Sequence, residues 1–282
     1  MDLVARELSM DPVEIRRKNF ISPDAFPYQT ATGLTYDSGD YGKSLDLALE
    51  MSDYYGWQEK ARLSTETGGP LIGVGVATVV KMAGAAGEVR TEDAWITIDS
   101  GGKVTARTGI SPHGQGSDVC MAQVVADQLG ISPSNIQVLH GDTDVVPSGG
   151  GTGATRGTVV GISAMYTVAE KARRKLSRIA SHLMDCPESD IVFEEGRIYS
   201  QLAPDCAKTF AEIASAAYSE ELLPPDVEVG LDFQDRFTLS VPYYNPHSFA
   251  TNVVVVEVNR DTGHVKIIKY IGVHDCGLII NP

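Results

Sequence analysis

Two glycine-rich segments stand directly before predicted helices and are the best candidates for chemistry. The first, Ser111–Gly116, leads into a helix predicted over 118–129, and the second, Ser148–Thr158, leads into the longest predicted helix. A helix N-terminus presents free N–H groups and a partial positive charge, and glycine lets a ligand approach the backbone closely. The two segments therefore predict binding sites for anionic groups, such as the phosphates of a larger ligand. Tight turns between packed elements are the alternative interpretation.

Single side chains in these segments could add specific contacts. Gln115 carries a carboxamide, which both donates and accepts hydrogen bonds. Arg156 would supply local positive charge in an acidic chain. His113 is a candidate base or ligand, although a lone histidine in a loop is more often solvated. The second segment is not a phosphate-binding loop of the G-x-x-x-x-G-K-[ST] type, because no G-K-[ST] follows it.

The remaining reactive side chains indicate no further site. Gly141–Asp144 offers two carboxylates but lacks the other ligand positions of a calcium loop, so an Asx turn is favoured. No two cysteines form a C-x-x-C pair, which argues against a zinc ribbon or a redox dithiol. Scattered reduced thiols of a cytoplasmic protein are expected instead, at Cys120, Cys186, Cys206 and Cys276.

The elements that must position the two segments combine helical and strand patterns. Apolar residues spaced by three and four predict helices, and β-rich runs bounded by turn residues predict strands. The predicted helices cover 1–21, 41–55, 118–129, 159–184 and 209–217, and the predicted strands cover 71–80, 94–99, 104–108, 136–140, 191–193, 197–199, 252–258 and 264–273. Residues 22–39 are predicted to be an irregular connector and 64–70 a linker. Because strands and helices do not alternate regularly, the pattern favours an α+β fold over a doubly wound sheet.

Composition excludes several classes of function. The 282 residues include 23 Lys and Arg against 37 Asp and Glu, which gives a net charge of −14. No nucleic-acid partner is expected, since no basic stripe is present to displace counterions, and a polybasic membrane anchor is excluded for the same reason. No run approaches the roughly 18–20 apolar residues of a membrane span. Both ends of the sequence read like the interior of a longer chain.

Short motifs extend over nearly the whole sequence in a specific order. They are MDPVEIRRKNF at 10–20, FPY at 26–28, YDSGDY at 36–41, HGQG at 113–116 with Gln123, LGI at 129–131, HGDTD at 140–144, GATRG at 153–157, DCG at 275–277 and INP at 280–282. In this order the chain resembles the molybdopterin-binding large subunit of the xanthine dehydrogenase/aldehyde oxidase family. It is most similar to the large subunit of aerobic carbon monoxide dehydrogenases.

The resemblance implies a fold, a cofactor and site residues. The fold would be an incomplete molybdenum-cofactor-binding domain of that family, within the α+β class. Such subunits hold molybdenum through a pterin, often molybdopterin cytosine dinucleotide; the glutamine motif lies against the molybdenum–pterin end, and the second glycine segment contacts the nucleotide or pyrophosphate. By resemblance, the cofactor-binding residues are His113, Gly114, Gln115, Gly116, Gly153, Thr155, Arg156 and Thr158.

The resemblance also implies a reaction and partners. The family hydroxylates an aldehyde or heterocycle carbon with oxygen from water, or oxidises carbon monoxide, so the substrate would be a small molecule. Electrons leave through an iron–sulfur subunit or domain and an FAD subunit or domain. The cofactor carries the redox step, and the protein supplies placement and electrostatics. A cytoplasmic protein without membrane contact is expected.

The chain departs from the family pattern in its catalytic parts. The family's catalytic glutamate lies beyond the Asn-Pro motif at 281–282, and the loops nearest the metal would precede Met1. The sequence therefore predicts no catalytic residue and no direct metal ligand within this chain. We expect that the chain alone does not catalyse the reaction.

Two functions remain open from the sequence. The chain is either an internal portion of a molybdenum hydroxylase large subunit or a non-catalytic assembly or nucleotide-binding module. A calcium-binding acidic protein ranks last. The predicted division is a helical segment and connector over 1–66, followed by an α+β molybdopterin-binding domain over 67–282 that is truncated before the catalytic C-terminal part.

Overall fold

The computed structural model describes residues 1–84, 90–240 and 246–279. It contains two compact units, Met1–Ala83 with Val241–Pro282, and Gly84–Ser240. The division at 83/84 does not coincide with the boundary predicted at 66/67, because the strand that begins at Leu71 pairs with a strand from the end of the chain. The INP motif at 280–282 lies outside the described residues.

Helices and strands alternate irregularly along the chain. The helices are α1 (Asp2–Glu7), α2 (Pro12–Lys18), α3 (Tyr41–Ser52), α4 (Tyr54–Glu66), α5 (Ser117–Leu129), α6 (Ser163–Met184) and α7 (Phe210–Ala216). The strands are β1 (Tyr28–Gln29), β2 (Thr35–Tyr36), β3 (Leu71–Met82), β4 (Thr91–Ile98), β5 (Val104–Thr108), β6 (Ile136–Leu139), β7 (Ile191–Glu194), β8 (Arg197–Ser200), β9 (Ala203–Thr209), β10 (Asp232–Thr238), β11 (His247–Val258) and β12 (Val265–Asp275). In the described part of the chain, no helix is both long and apolar enough to cross a membrane.

The first unit is a three-stranded antiparallel sheet covered by helices. The strand order is β12-β11-β3, and α3 packs against β11 and β12. The helical spacing of Leu45, Ala48 and Leu49 places them on the buried face of α3, where they meet Val76 and Val253 of the sheet. Each large side chain buried in this way contributes about 1.5–3 kcal/mol.

The second unit carries both glycine segments. Its main sheet has the order β10-β4-β5-β6, in which only the β5–β6 pair is parallel. α5 packs against α6, which also lies against β4 and β10. The buried face of α6 follows a three- and four-residue spacing that was visible in the sequence, namely Ala164, Val168, Ala172, Leu176 and Ile179. A smaller sheet, β7-β8-β9, completes the unit.

Most predicted elements are confirmed, and the α+β class is correct. Asp11 caps α2, since its carboxylate accepts from the Val13 and Glu14 amides. The capping box at Thr209 and Glu212 is also present. Gly130 ends α5 in the left-handed conformation, with φ of 64°.

Several local predictions differ from the structure. The helix predicted over 1–21 is two helices, α1 and α2, and the strand β9 was not predicted. α4 was not predicted and runs to Glu66, inside the segment 64–70 that was expected to be a linker. The connector 22–39 contains the short β1–β2 hairpin. The strand β10 was also missed, because its exposed and half-buried residues carry no strong apolar alternation. The helix predicted from Val159 begins earlier, with a π-helical turn over Gly157–Ile162.

Candidate functional site

The first glycine segment joins β5 to α5. Gly114 and Gly116 have φ values of 106° and 71°, a region that favours glycine. Gly116 is the N-cap residue of α5 and supplies no side-chain cap. The first N–H groups of α5 therefore keep their hydrogen-bonding capacity for another acceptor. Within the loop, the His113 N–H donates to the Gln115 side-chain oxygen at 2.7 Å, so the Gln115 Nε2 is left to donate elsewhere.

The second glycine segment leads into the π-helical turn before α6. Ala154 and Thr155 both adopt positive φ values, 43° and 60°, which are costly for residues with a Cβ atom and occur most often at functional sites. π-helical turns are likewise frequent at functional sites. No alanine fits at Gly161 in this turn without movement, because an added Cβ would lie 2.5 Å from Ile110 Cγ1. The close approach packs the turn before α6 against Ile110, the residue that directly precedes the first segment.

The two segments are joined directly. The Thr152 hydroxyl accepts from the Ser111 N–H at 3.0 Å and donates to the Ser111 carbonyl at 2.8 Å. Gly109 and Gly149 also touch, because a Cβ added to either would lie 2.3 Å from the Cα of the other. The geometry thus brings the two glycine segments, with positions 113–116 and 152–158, to one side of the unit.

A cavity of about 320 Å³ lies between the two segments. Of the predicted cofactor-binding residues, it is lined by His113, Gln115, Gly153, Thr155 and Thr158. Gly114, Gly116 and Arg156 do not line it; the two glycines instead shape the first loop. Their contact with a cofactor stays a prediction.

The lining of the cavity suits an anionic, hydrogen-bonding ligand. Among the residues that the structure describes, no Asp or Glu lines it, although the chain as a whole is acidic. Ser117, at the first position of α5, has a buried hydroxyl without a hydrogen-bond partner. An unpaired buried hydroxyl costs about 1–3 kcal/mol, so a ligand that accepts a hydrogen bond from Ser117 would remove this penalty. The hydroxyls of Thr155 and Thr158 add further polar groups.

Arg156 is placed differently from the sequence expectation. Its guanidinium is buried and forms an ion pair with Glu92 at 2.7 Å, and it also donates to the Gly151 and Thr91 carbonyls. Glu92 neutralises the charge that was expected to face an anion. The physical reason is local: Arg156 precedes the turn into α6, where its side chain reaches the start of β4 instead of the cavity.

Sequence comparison decides the family. A family model described as a molybdopterin cofactor-binding domain matches residues 47–282. The chain belongs to this family. The predicted resemblance is thereby confirmed.

Several relatives match over the entire chain. The carbon monoxide dehydrogenase large chain of Hydrogenophaga pseudoflava is 35% identical over 296 residues, which cover 100% of this chain and 36% of the relative. The nicotine 6-hydroxylase large subunit of Paenarthrobacter nicotinovorans is 32% identical over 295 residues, covering 100% of this chain and 35% of that subunit. The chain thus spans about a third of the length of these relatives.

Solved structures show the same fold. Quinoline 2-oxidoreductase from Pseudomonas putida 86 matches with a TM-score of 0.80 and 29% identity, over 100% of this chain and 36% of that chain. A Cu,Mo-CO dehydrogenase in its carbon monoxide reduced state matches with a TM-score of 0.79 and 30% identity, again over 100% and 36%. The α+β arrangement described above is therefore that of a molybdopterin cofactor-binding domain.

The sequence did not predict that residues of α5 and β4 belong to the site or support it. Ser117 and Cys120 line the cavity from α5, and their positions after Gly116 could have indicated this, since the first helical turn faces the same side as the loop. Glu92, which pairs with Arg156, could not have been found, because 64 residues separate the two along the chain.

Among the other polar motifs, the turn at 142–144 has the predicted form. The Asp144 N–H donates to the Asp142 carboxylate at 2.9 Å, which confirms the Asx turn. All four cysteines are free. In the described residues, no three His, Cys, Asp or Glu side chains cluster closely enough to hold a metal ion.

Proposed function

We propose that this chain forms part of a molybdenum hydroxylase large subunit and that its cavity holds the molybdopterin cofactor. The observation that carries the proposal is the junction of the two glycine segments around one cavity lined by free amides and hydroxyls. Ser117, buried and unpartnered there, supplies an independent indication of a missing acceptor. The relatives that match the whole chain are molybdenum-dependent enzymes by name or family, which supports the same proposal.

Each segment has its own part in binding. The first N–H groups of α5, together with the Ser117 hydroxyl, can hold an anionic group through hydrogen bonds favoured by the helix dipole. Thr155 and Thr158 can donate to the oxygens of a pyrophosphate. Gln115, whose Oε1 is engaged by its own loop, can donate from Nε2 to the pterin end. The proposed cofactor is the cytosine dinucleotide form, with its pterin toward Gln115 and its phosphates toward Thr155 and Thr158.

The residues of this chain bind and orient, and none is assigned a proton transfer. When bound, the molybdenum–pterin group supplies the redox step of the reaction on a small-molecule substrate. Electron transfer to an iron–sulfur partner and an FAD partner is part of the proposal. A cytoplasmic location is proposed as well, supported by four cysteines that remain free.

Cofactor content tests the proposal. The chain is produced in a host that makes molybdopterin cytosine dinucleotide, and the purified protein is denatured and oxidised so that bound pterin is measured by fluorescence. We expect retained pterin in the wild type and a clear loss in the Ser117→Ala/Thr158→Val variant. The control is Ser132→Ala, which removes an exposed hydroxyl bonded to Ser134. Equal pterin content in all three proteins would contradict the assignment.

Pterin content, measured together with the binding of cytidine diphosphate, distinguishes this proposal from the alternative function. A nucleotide-binding module without redox chemistry would bind cytidine diphosphate but would retain no pterin. If the chain binds both pterin cofactor and cytidine diphosphate, in competition for one site, the result supports the proposed cofactor cradle, by which we mean the cavity between the two glycine segments.

A further inference from the structure

Two consecutive acidic residues at the start of β4 are almost completely buried. Glu92 is 2% exposed and Asp93 is 5% exposed. Buried carboxylates are rare unless they are paired, and both of these are bonded to the second glycine segment or to its arginine. They lie outside the lining of the cavity.

Glu92 is bonded to the segment twice through the same oxygen. Its Oε2 accepts from the Gly150 N–H at 3.1 Å and from Arg156 Nη1 at 2.7 Å. Arg156 Nη2 in turn donates to the Thr91 carbonyl at 2.6 Å, and Nη1 also donates to the Gly151 carbonyl. The planar guanidinium thus bridges β4 and the loop through fixed directions that a lysine could not reproduce.

Asp93 fixes the beginning of the same segment. Its Oδ2 accepts from the Ser148 hydroxyl at 2.7 Å. Arg236 of β10 holds this carboxylate with two hydrogen bonds, each of 2.8 Å. The loop is therefore tied to β4 at its beginning by Asp93 and at its middle and end by Glu92.

The Glu92–Arg156 pair is poorly explained by stability alone. Taking two charges out of water costs free energy that their attraction often fails to recover. In the described part of the chain, Glu92 Oε1 and Arg156 Nε also lack hydrogen-bond partners although both are buried. A pair retained under these conditions is better explained by the geometry that it imposes on the loop.

We propose that Glu92 is a positioning residue for the cofactor cradle. Through Arg156 and the Gly150 amide, it holds residues 150–156 in the conformation that turns Thr155 and Thr158 toward the cavity. Neither Glu92 nor the Arg156 guanidinium touches the ligand. This inference rests on the proposed function, because it concerns how the same cavity is shaped.

Two single variants distinguish the effect of the Glu92–Arg156 charges from the effect of the hydrogen-bond geometry. Glu92→Gln keeps an oxygen acceptor for Gly150 but leaves Arg156 without its counter-charge. Arg156→Lys keeps the positive charge but loses the guanidinium N–H groups that donate to the Thr91 and Gly151 carbonyls. It replaces Glu92→Gln in the test if that variant does not fold. The control is Asp226→Asn, which breaks the surface ion pair with Arg178.

Two measurements are made on the 282-residue chain. Amide hydrogen exchange reports the order of the loop without any ligand, and calorimetric titration with inorganic pyrophosphate reports the anion seat. Both single variants should speed exchange at 150–158 while 113–119 is unchanged. They should weaken pyrophosphate binding about tenfold, the loss expected when charge-assisted hydrogen bonds that shape a site are removed. Asp226→Asn should match the wild type.

A double variant excludes a merely structural role. Glu92→Gln/Arg156→Met removes both buried charges, so thermal stability should recover toward the wild-type melting temperature. Pyrophosphate affinity should stay weak, because the bonds that shape the loop are still lost. Parallel recovery of stability and affinity would overturn the positioning role, as would unchanged loop exchange in both single variants. Absence of pyrophosphate binding by the wild type would instead contradict the proposed function, while exchange would still report whether Glu92 orders the loop.

Discussion

The two glycine segments reach one cavity by different means. Beyond the Ser111–Thr152 bonds that join the segments, the 111–116 loop is held by its own atoms, with the His113 N–H bonded to Gln115 and two glycines at positive φ. The 148–156 loop is held from outside by Glu92 and Asp93 of β4. A loop held by itself can be recognised from its sequence, whereas a loop held by a distant strand cannot. The difference also predicts different sensitivities to mutation, pH and ligand.

Disrupting the packing between the two loops should have the largest effect on the stability of the fold. Gly149→Ala places a Cβ 2.3 Å from the backbone of Gly109, which cannot yield as a flexible side chain can. We expect a loss of about 3 kcal/mol in the free energy of unfolding, measured by urea denaturation. Gly153→Ala is the matched control in the same loop, because a Cβ there meets no atom of the described residues within 4 Å. A Gly149→Ala protein as stable as Gly153→Ala would show that the two loops do not touch.

Removing the Asp93 carboxylate, which anchors the second loop, should have the next largest effect on stability, and the size of this effect should depend on pH. Hydrogen bonding to Arg236 lowers the pKa of Asp93, with help from Ser148 and against the effect of burial. A folded pKa below the unfolded value of about 3.9 means that the ionised group stabilises the fold above about pH 4 and loses this contribution as pH falls through the lowered pKa.

Asp93→Asn measures this anchor. It should cost about 1.5–3 kcal/mol at pH 7, since it weakens hydrogen bonds to a charged group. The difference from the wild type should shrink below pH 4 in urea denaturation. A difference that is independent of pH would contradict the role of the ionised carboxylate.

The self-contained loop should respond to backbone conformation. Gly114→Ala puts a side chain at φ of 106°, where the described part of the chain has no neighbouring atom within 4 Å, so backbone strain is the expected cost. We expect a loss of about 1–2 kcal/mol, visible as a lower urea midpoint and the same at pH 7 and at pH 3. A pH-dependent loss would show that the first loop also relies on ionised groups.

Gln115→Ala should have the smallest effect on stability and a visible effect on binding. The side chain lies at an exposed position and bonds only to its own loop, so we expect a change within about 0.5 kcal/mol in the free energy of unfolding. Retained pterin should nevertheless fall, because the Nε2 donor is lost. Unchanged pterin content would remove Gln115 from the site.

The sequence was informative where structure is local. The helices that begin at the Asp11 cap and at the Thr209 capping box, and the buried stripe of α6, all depend on residues within a few positions of each other, and the sequence predicts a helix at each of these places. The two glycine segments could be recognised as a candidate site because glycine, threonine and helix starts occur together in sequence. The inward turn of Arg156 could not be predicted, since its partner Glu92 lies on a different element and the choice between ligand and ion pair depends on tertiary distance.

The central claim is that both glycine segments bind a single phosphate-containing ligand. Amide chemical-shift mapping of the isotope-labelled chain during titration with cytidine 5′-diphosphate tests it most directly. We predict that amides of 113–119 and 153–158 shift together and saturate with the same dissociation constant. Shifts confined to one segment, or different dissociation constants for the two, would contradict the claim.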